Sequence, residues 1–201
     1  MKPAAIGVRM HSGWGALVAV SCSASSTIEV VERRRVTVIP SGTAGVKQPY
    51  HFAKTLALPD AEKFIGNCFA ASKDLAQMAM REVVNELSGR QYRVVASAVL
   101  LASGRALPPL EKILASHAAI HTAEGEFFRD VFSKACHELS LPVTGFRERD
   151  LDQYLHAVFG KTATKLTQQV STLGKSLGPP WTTDQKNAAL AALLVLGNKK
   201  Q

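Results

Sequence analysis

A chain of 201 residues, 46% hydrophobic and 20% charged, is long enough to bury roughly 70% of its extended surface, and this balance excludes a disordered or fibrous chain. Lys plus Arg exceed Asp plus Glu by 24 to 16, a formal net charge of +8, which draws a protein toward polyanions such as nucleic acid or an acidic membrane surface. The basic residues are scattered and two of them, Lys199 and Lys200, sit in the tail, so a merely solvated basic surface stands beside a nucleic-acid face as a reading.

In chain order, Ala4 to Arg9 is a short apolar run that meets the turn-like His11-Ser12-Gly13, and a second run, Ala16 to Ser21, leads into a serine-rich turn. With Lys2, Arg9 and the small residues Ser21-Cys22-Ser23-Ala24, this start imitates a secretory signal. Its apolar run, Trp14 to Val20, is too short, is interrupted by Gly15 and preceded by Gly13, and Ala19 stands where a lipoprotein site has Leu. Ile28 to Ile39 is rich in Val and Ile and reads as a third strand; three strands this close together form a meander of two hairpins. Pro40 to Pro59 reads as a long loop carrying Pro49-Tyr50-His51-Phe52. Asp60 caps a helix over Ala61 to Leu87, stopped by Ser88-Gly89. Tyr92 to Ala102 is a continuous apolar run with β-branched residues, the pattern of a strand covered on both faces, closed by Ser103-Gly104. Leu110 to Leu139 is a second long helix, with Gly125 as a possible bend. Pro142 to Phe146 is a short strand, and Leu151 to Phe159, Lys161 to Leu177 and Thr182 to Leu196 are helices.

Three strands, a helix, a strand, a helix, a strand and final helices make an α/β chain: a mixed five-stranded sheet flanked by helices. No internal repeat or composition break divides residues 1–201, which read as one domain. No stretch approaches the roughly 20 apolar residues of a membrane span. Cys22, Cys68 and Cys136 are odd in number and far apart, with no CxxC pair; this fits a reducing, cytoplasmic compartment.

Ile6-Gly7-Val8-Arg9-Met10-His11-Ser12-Gly13 followed by Trp14-Gly15-Ala16-Leu17-Val18, and Asp184-Gln185-Lys186-Asn187-Ala188-Ala189-Leu190-Ala191 near the end, resemble the first hairpin and the last helix of RuvC-type Holliday-junction resolvases. The element order resembles the ribonuclease-H-like superfamily over most of the chain. Members that cleave nucleic acid hold two divalent cations between carboxylates. The resemblance therefore implies acids on the first strand, on the apolar fourth strand and, three residues apart, on the last helix. This chain departs from that pattern. Arg9 stands at the first position, Val95-Ala96-Ser97-Ala98-Val99 carries no carboxylate, and on the last helix Asp184 is kept while Asn187 replaces its partner. One carboxylate cannot hold two hard cations, so the acidic metal site reads as degenerate.

A second constellation lies on the 110–139 helix. His117, His121 and Glu124 fall within about 60° of one another around the helix axis, in the sector of Leu114, Phe128, Val131, Phe132, Ala135 and Leu139. Polar groups on a buried stripe need partners. A structural hydrogen-bond network, a catalytic pocket and a transition-metal site are all open readings. Among the rest, His11-Ser12-Gly13 offers turn amides to an anion or is a plain hairpin turn. Arg33 and Arg35 share a strand face opposite Arg34, as phosphate contacts or as charges that blunt an edge. His51 is a loop histidine among aromatics, and Asp184 favours a helix N-terminus.

No nucleophile elbow, phosphate-cradling glycine loop, dinucleotide fingerprint or zinc-finger spacing is present. Two function classes remain. The first is a ribonuclease-H-like protein without two-metal carboxylates that binds nucleic acid or a protein, with Arg9, His11, Arg33 and Arg35 as nucleic-acid contacts. The second is a hydrolase or nuclease built on a His117/His121/Glu124/Asp184 pocket, with one divalent metal or none. DNA or RNA is the expected partner; a homo-oligomeric structural component is a third reading.

Overall fold

The computed structural model describes residues 1–23, 27–102 and 106–198. The serine-rich turn at residues 24–26, the Ser103-Gly104 stop and the tail lysines Lys199 and Lys200 lie outside the described residues. Strands β1 (Lys2–His11), β2 (Trp14–Cys22) and β3 (Ile28–Thr37) form the expected antiparallel meander. β4 (Tyr92–Leu101) then adds parallel to β1, and β5 (Val143–Arg147) parallel to β4, giving the sheet order β3-β2-β1-β4-β5. β3 is therefore an edge, as its charged run implies.

The central strands are buried on both faces, which is why they read as unbroken apolar runs. Along β1, Ala4, Ile6, Val8 and Met10 enter one core with residues of helices α2 (Leu58–Gly89) and α4 (His117–Glu138). Ala5 enters the opposite core, against α5 (Leu151–Phe159), α6 (Ala163–Thr172) and α8 (Thr183–Asn198). The sheet thus separates two helical layers. α8 lies closest to it: Ala188, Ala189, Ala191 and Ala192 are fully buried, and these small side chains let its backbone approach β1.

Several boundaries differ from the sequence reading, for local reasons. The 40–59 loop contains a short helix, α1 (Pro49–Ala53), and α2 begins already at Leu58 with Pro59 in its first turn, where a missing N–H costs nothing. The 110–139 segment is not one helix. α3 (Leu110–Leu114) stops, and α4 restarts after Ser116, whose hydroxyl accepts from the Ala119 amide at 3.3 Å as an N-cap. α4 continues through Gly125. The 161–177 segment divides into a Gly160–Thr162 turn, α6 and the four-residue α7 (Gly174–Leu177). Among the described residues no helix is long and apolar enough to cross a membrane.

Cys68 and Cys136 are buried in the α2/α4 core. Burial pushes the Cys136 thiol up to about 12, against a weaker lowering from Ser97, and raises that of Cys68. The reactive species is the thiolate, so neither residue will be alkylated by iodoacetamide at pH 8 in the native protein, and both will react in denaturant. Mass spectrometry of native and denatured samples checks this, and rapid native labelling at Cys136 would contradict the packing.

Candidate functional site

Two polar clusters are built on opposite sides of the sheet. The first stands where the C-terminal end of β1 meets α8. Strand alternation turns Arg9 and His11 toward the α8 layer, while Val8 and Met10 face the other core. Arg9 Nε donates to Glu148 Oε1 and Oε2 at 2.8 and 3.1 Å, and Arg9 Nη1 donates to Asp184 Oδ1 at 2.9 Å. Asn187 Nδ2 donates to Glu148 Oε1 at 2.8 Å, and His11 Nε2 lies 2.8 Å from Asp184 Oδ2. The same His11 nitrogen is 2.9 Å from Arg9 Nη1; carrying a proton it donates to Asp184, and it can serve only one of the two.

All four carboxylate oxygens of the cluster are engaged. Burial alone would lower the Arg9 pKa, but the bonds and charges of Glu148 and then Asp184 outweigh it and raise the value, holding the guanidinium charged. The Arg9, His11, Glu148 and Asp184 side chains are each 23–31% exposed, so the cluster meets solvent.

A stacked row extends from it across three strands. The His11 ring lies flat on Trp14, with centroids 4.2 Å apart and planes 8° apart, and the Arg35 guanidinium lies over the Trp14 ring at 4.0 Å. Arg33 points the same way but is committed to backbone: it donates to the Leu177, Gly178 and Pro180 carbonyls at 2.5–2.8 Å, fixing the lead-in to α8. Arg34, on the opposite face, pairs with Glu32 and Glu86.

The second cluster joins α1 to the start of α4. The N-cap of α1, Gln48, provides no side-chain acceptor, and the first amides of a helix need one. Glu124 supplies it from α4: Oε1 accepts from the Tyr50 amide at 2.8 Å and the His51 amide at 3.0 Å, with His51 Nδ1 at 3.3 Å. Glu124 is buried, and its Oε2 has no hydrogen-bond partner among the described residues. Burial raises its pKa, opposed by the His51 and Tyr50 bonds. Beside it, His117 Nε2 and His121 Nε2 are 3.0 Å apart, and His51 packs edge-on against both, at 5.6 and 4.8 Å between ring centroids.

This arrangement corrects two expectations. Helical phase put His117, His121 and Glu124 on one buried stripe, but only Glu124 is buried. The histidines are exposed, while Ile120 and Ala123 of the same turns are the residues buried, against Ile113 and Tyr50. The combined His117/His121/Glu124/Asp184 pocket does not form either, since the sheet stands between α4 and α8. Two participants were missed. Glu148 lies in an alternating charged run, Arg147-Glu148-Arg149-Asp150; its one signal is its place just beyond the carboxyl end of a parallel strand, where α/β sheets gather ligand groups. In sequence His51 is a loop histidine among aromatics, and nothing local announces its α4 neighbours.

No family model matches the chain, and no curated protein matches it in sequence. Solved structures do. RuvC of Thermus thermophilus, in a complex described as holding a Holliday junction substrate, aligns with a TM-score of 0.53 and 13% identity over 98% of this chain and 94% of that one. A second Thermus thermophilus RuvC structure gives 0.50 and 14%, over 98% and 95%. The yeast mitochondrial Holliday junction resolvase Ydc2 gives 0.44 and 11%, over 96% and 76%. The chain has the ribonuclease-H-like fold, arranged as in RuvC.

Proposed function

We propose that this ribonuclease-H-like chain binds nucleic acid and does not cleave it by a two-metal route. The observation that carries the reading is the Arg9 guanidinium between Glu148 and Asp184. In the cleaving members that the sequence resembles, that space belongs to divalent cations. The residues present do not fit such ions. Hard cations need several anionic oxygens, β4 presents the apolar Ala96, Ala98 and Leu100 to the α8 layer, and Asn187 offers an amide. Every oxygen of the two carboxylates already faces a donor. A cation entering would have to displace one permanently charged, so Arg9 ties β1, the turn after β5 and α8 together in place of a metal.

Binding is supported by the net charge of +8 and by the Holliday junction named with the RuvC relative. Of the four contacts named from sequence, Arg9 and His11 are engaged by acids and Arg33 is held by carbonyls. Arg35 is exposed and keeps its charge toward solvent above Trp14, making it the phosphate contact of the set.

Fluorescence anisotropy with labelled duplex and four-way-junction DNA tests this. Affinity is expected to fall by roughly tenfold or more between 50 and 200 mM salt, and the Arg35→Ala variant to weaken binding by several-fold on every sequence. The same DNA incubated with Mg²⁺ or Mn²⁺ stays intact. Affinity indifferent to salt would remove the phosphate contact, and metal-dependent cleavage would remove the role given to Arg9.

A further inference from the structure

We propose that His51, His117 and His121 form a transition-metal site, of the kind that takes zinc or cobalt, with Glu124 orienting it. The ligand nitrogens that the three residues offer all lie within 4.8 Å of one another. In a tetrahedral site with metal–nitrogen bonds near 2.0–2.1 Å, ligand nitrogens stand roughly 3.3 Å apart. The His117 and His121 Nε2 atoms are already at 3.0 Å, close to that spacing. They are one helical turn apart, so a single face of α4 presents both.

The third imidazole arrives from a different element, and Glu124 holds it there. Its Oε1 binds the His51 amide and faces Nδ1. A proton on Nδ1, directed at the carboxylate, leaves the lone pair of His51 on Nε2. Metal-bound histidines show this pattern: the second ring nitrogen donates to a carboxylate that fixes tautomer and orientation. The carboxylate also answers the charge problem, since a cation at the N-terminal turn of α4 opposes the helix dipole and the buried negative charge of Glu124 offsets it. Three neutral imidazoles suit zinc, copper, nickel or iron rather than magnesium or calcium. Because His117 and His121 are exposed, a fourth position stays open to water.

The site lies across the sheet from the Arg9 cluster and requires nothing of it, so the test uses the untagged full chain without nucleic acid. Cobalt(II) titrated into the protein should bind at one equivalent, with the intense visible absorption of a four-coordinate ion, and Zn²⁺ should displace it. His117→Ala and His121→Ala, at exposed positions, should abolish the signal while leaving the circular dichroism spectrum unchanged. Glu124→Gln should lower the affinity by roughly 10–100-fold, the usual cost of an altered outer partner. An absence of saturable cobalt binding, or binding that persists in both histidine variants, overturns the proposal.

Discussion

Replacing Gly7 by alanine will destabilise the protein by about 3 kcal/mol, a loss of roughly 6–12 °C in melting temperature for a chain of this size. A Cβ on Gly7 would stand 1.9 Å from the Ala188 carbonyl oxygen, 2.8 Å from its carbon and 2.9 Å from the Ala192 amide nitrogen. These are backbone atoms of α8 and cannot rotate aside. The helix must retreat from β1 until ordinary contact near 3.5 Å returns, and the fully buried Ala188 and Ala192 then lose their close packing. The retreat also draws Asp184 and Asn187 away from Arg9 and Glu148, so packing and ion pairs fail together. Gly7→Val should leave no cooperative transition. Gly66→Ala is the matched control: Gly66 is an exposed position inside α2 with nothing within 4 Å of an added Cβ, and alanine there should stabilise by about 0.5–1 kcal/mol. Urea unfolding of the three variants decides it, and a Gly7→Ala protein as stable as wild type would show that α8 is not tightly seated.

The contrast between those glycines shows what the sequence could and could not disclose. Gly7 and Gly66 are indistinguishable as letters, and only the arrival of α8 separates them. β1, β2 and β4 were legible because a strand buried on both faces is largely apolar, and the edge strand β3 from its Val and Ile content. α2 was legible because the composition of Ala61 to Leu87 favours helix; its N-cap is Ala57, not Asp60, because Leu58 and Pro59 already belong to its first turn. The break at Ala115-Ser116 is hidden in the sequence because periodicity persists across it and the Ser116 cap has no acidic partner three residues on. Phase within α4 puts His117, His121 and Glu124 toward one side of the helix. It could not say that the histidines are exposed, since burial depends on neighbours from distant parts of the chain. Arg9 was legible as a departure from the resolvase pattern. Its partner Glu148, 139 residues away, was not.

Glu124→Ala will cost about 2 kcal/mol, and the loss will be concentrated in α1. Two half-buried amide donors, Tyr50 and His51, lose their acceptor, and an unsatisfied donor costs about 1–3 kcal/mol. Removing the carboxylate returns part of this, because Glu124 itself is buried with one oxygen unpartnered and burial disfavours its charge. Glu124→Gln keeps a carbonyl oxygen for both amides, as a weaker uncharged acceptor, and should cost about half as much. The difference is measurable residue by residue. Hydrogen exchange at the Tyr50 and His51 amides should accelerate by roughly 30-fold in the alanine variant, the equivalent of about 2 kcal/mol, while the amides of β1 and β4 follow only the global change. Uniform acceleration across the sheet would mean that Glu124 holds the whole core rather than α1. Acceleration confined to α1 would show that one carboxylate caps a helix with no cap of its own, the helix that carries His51.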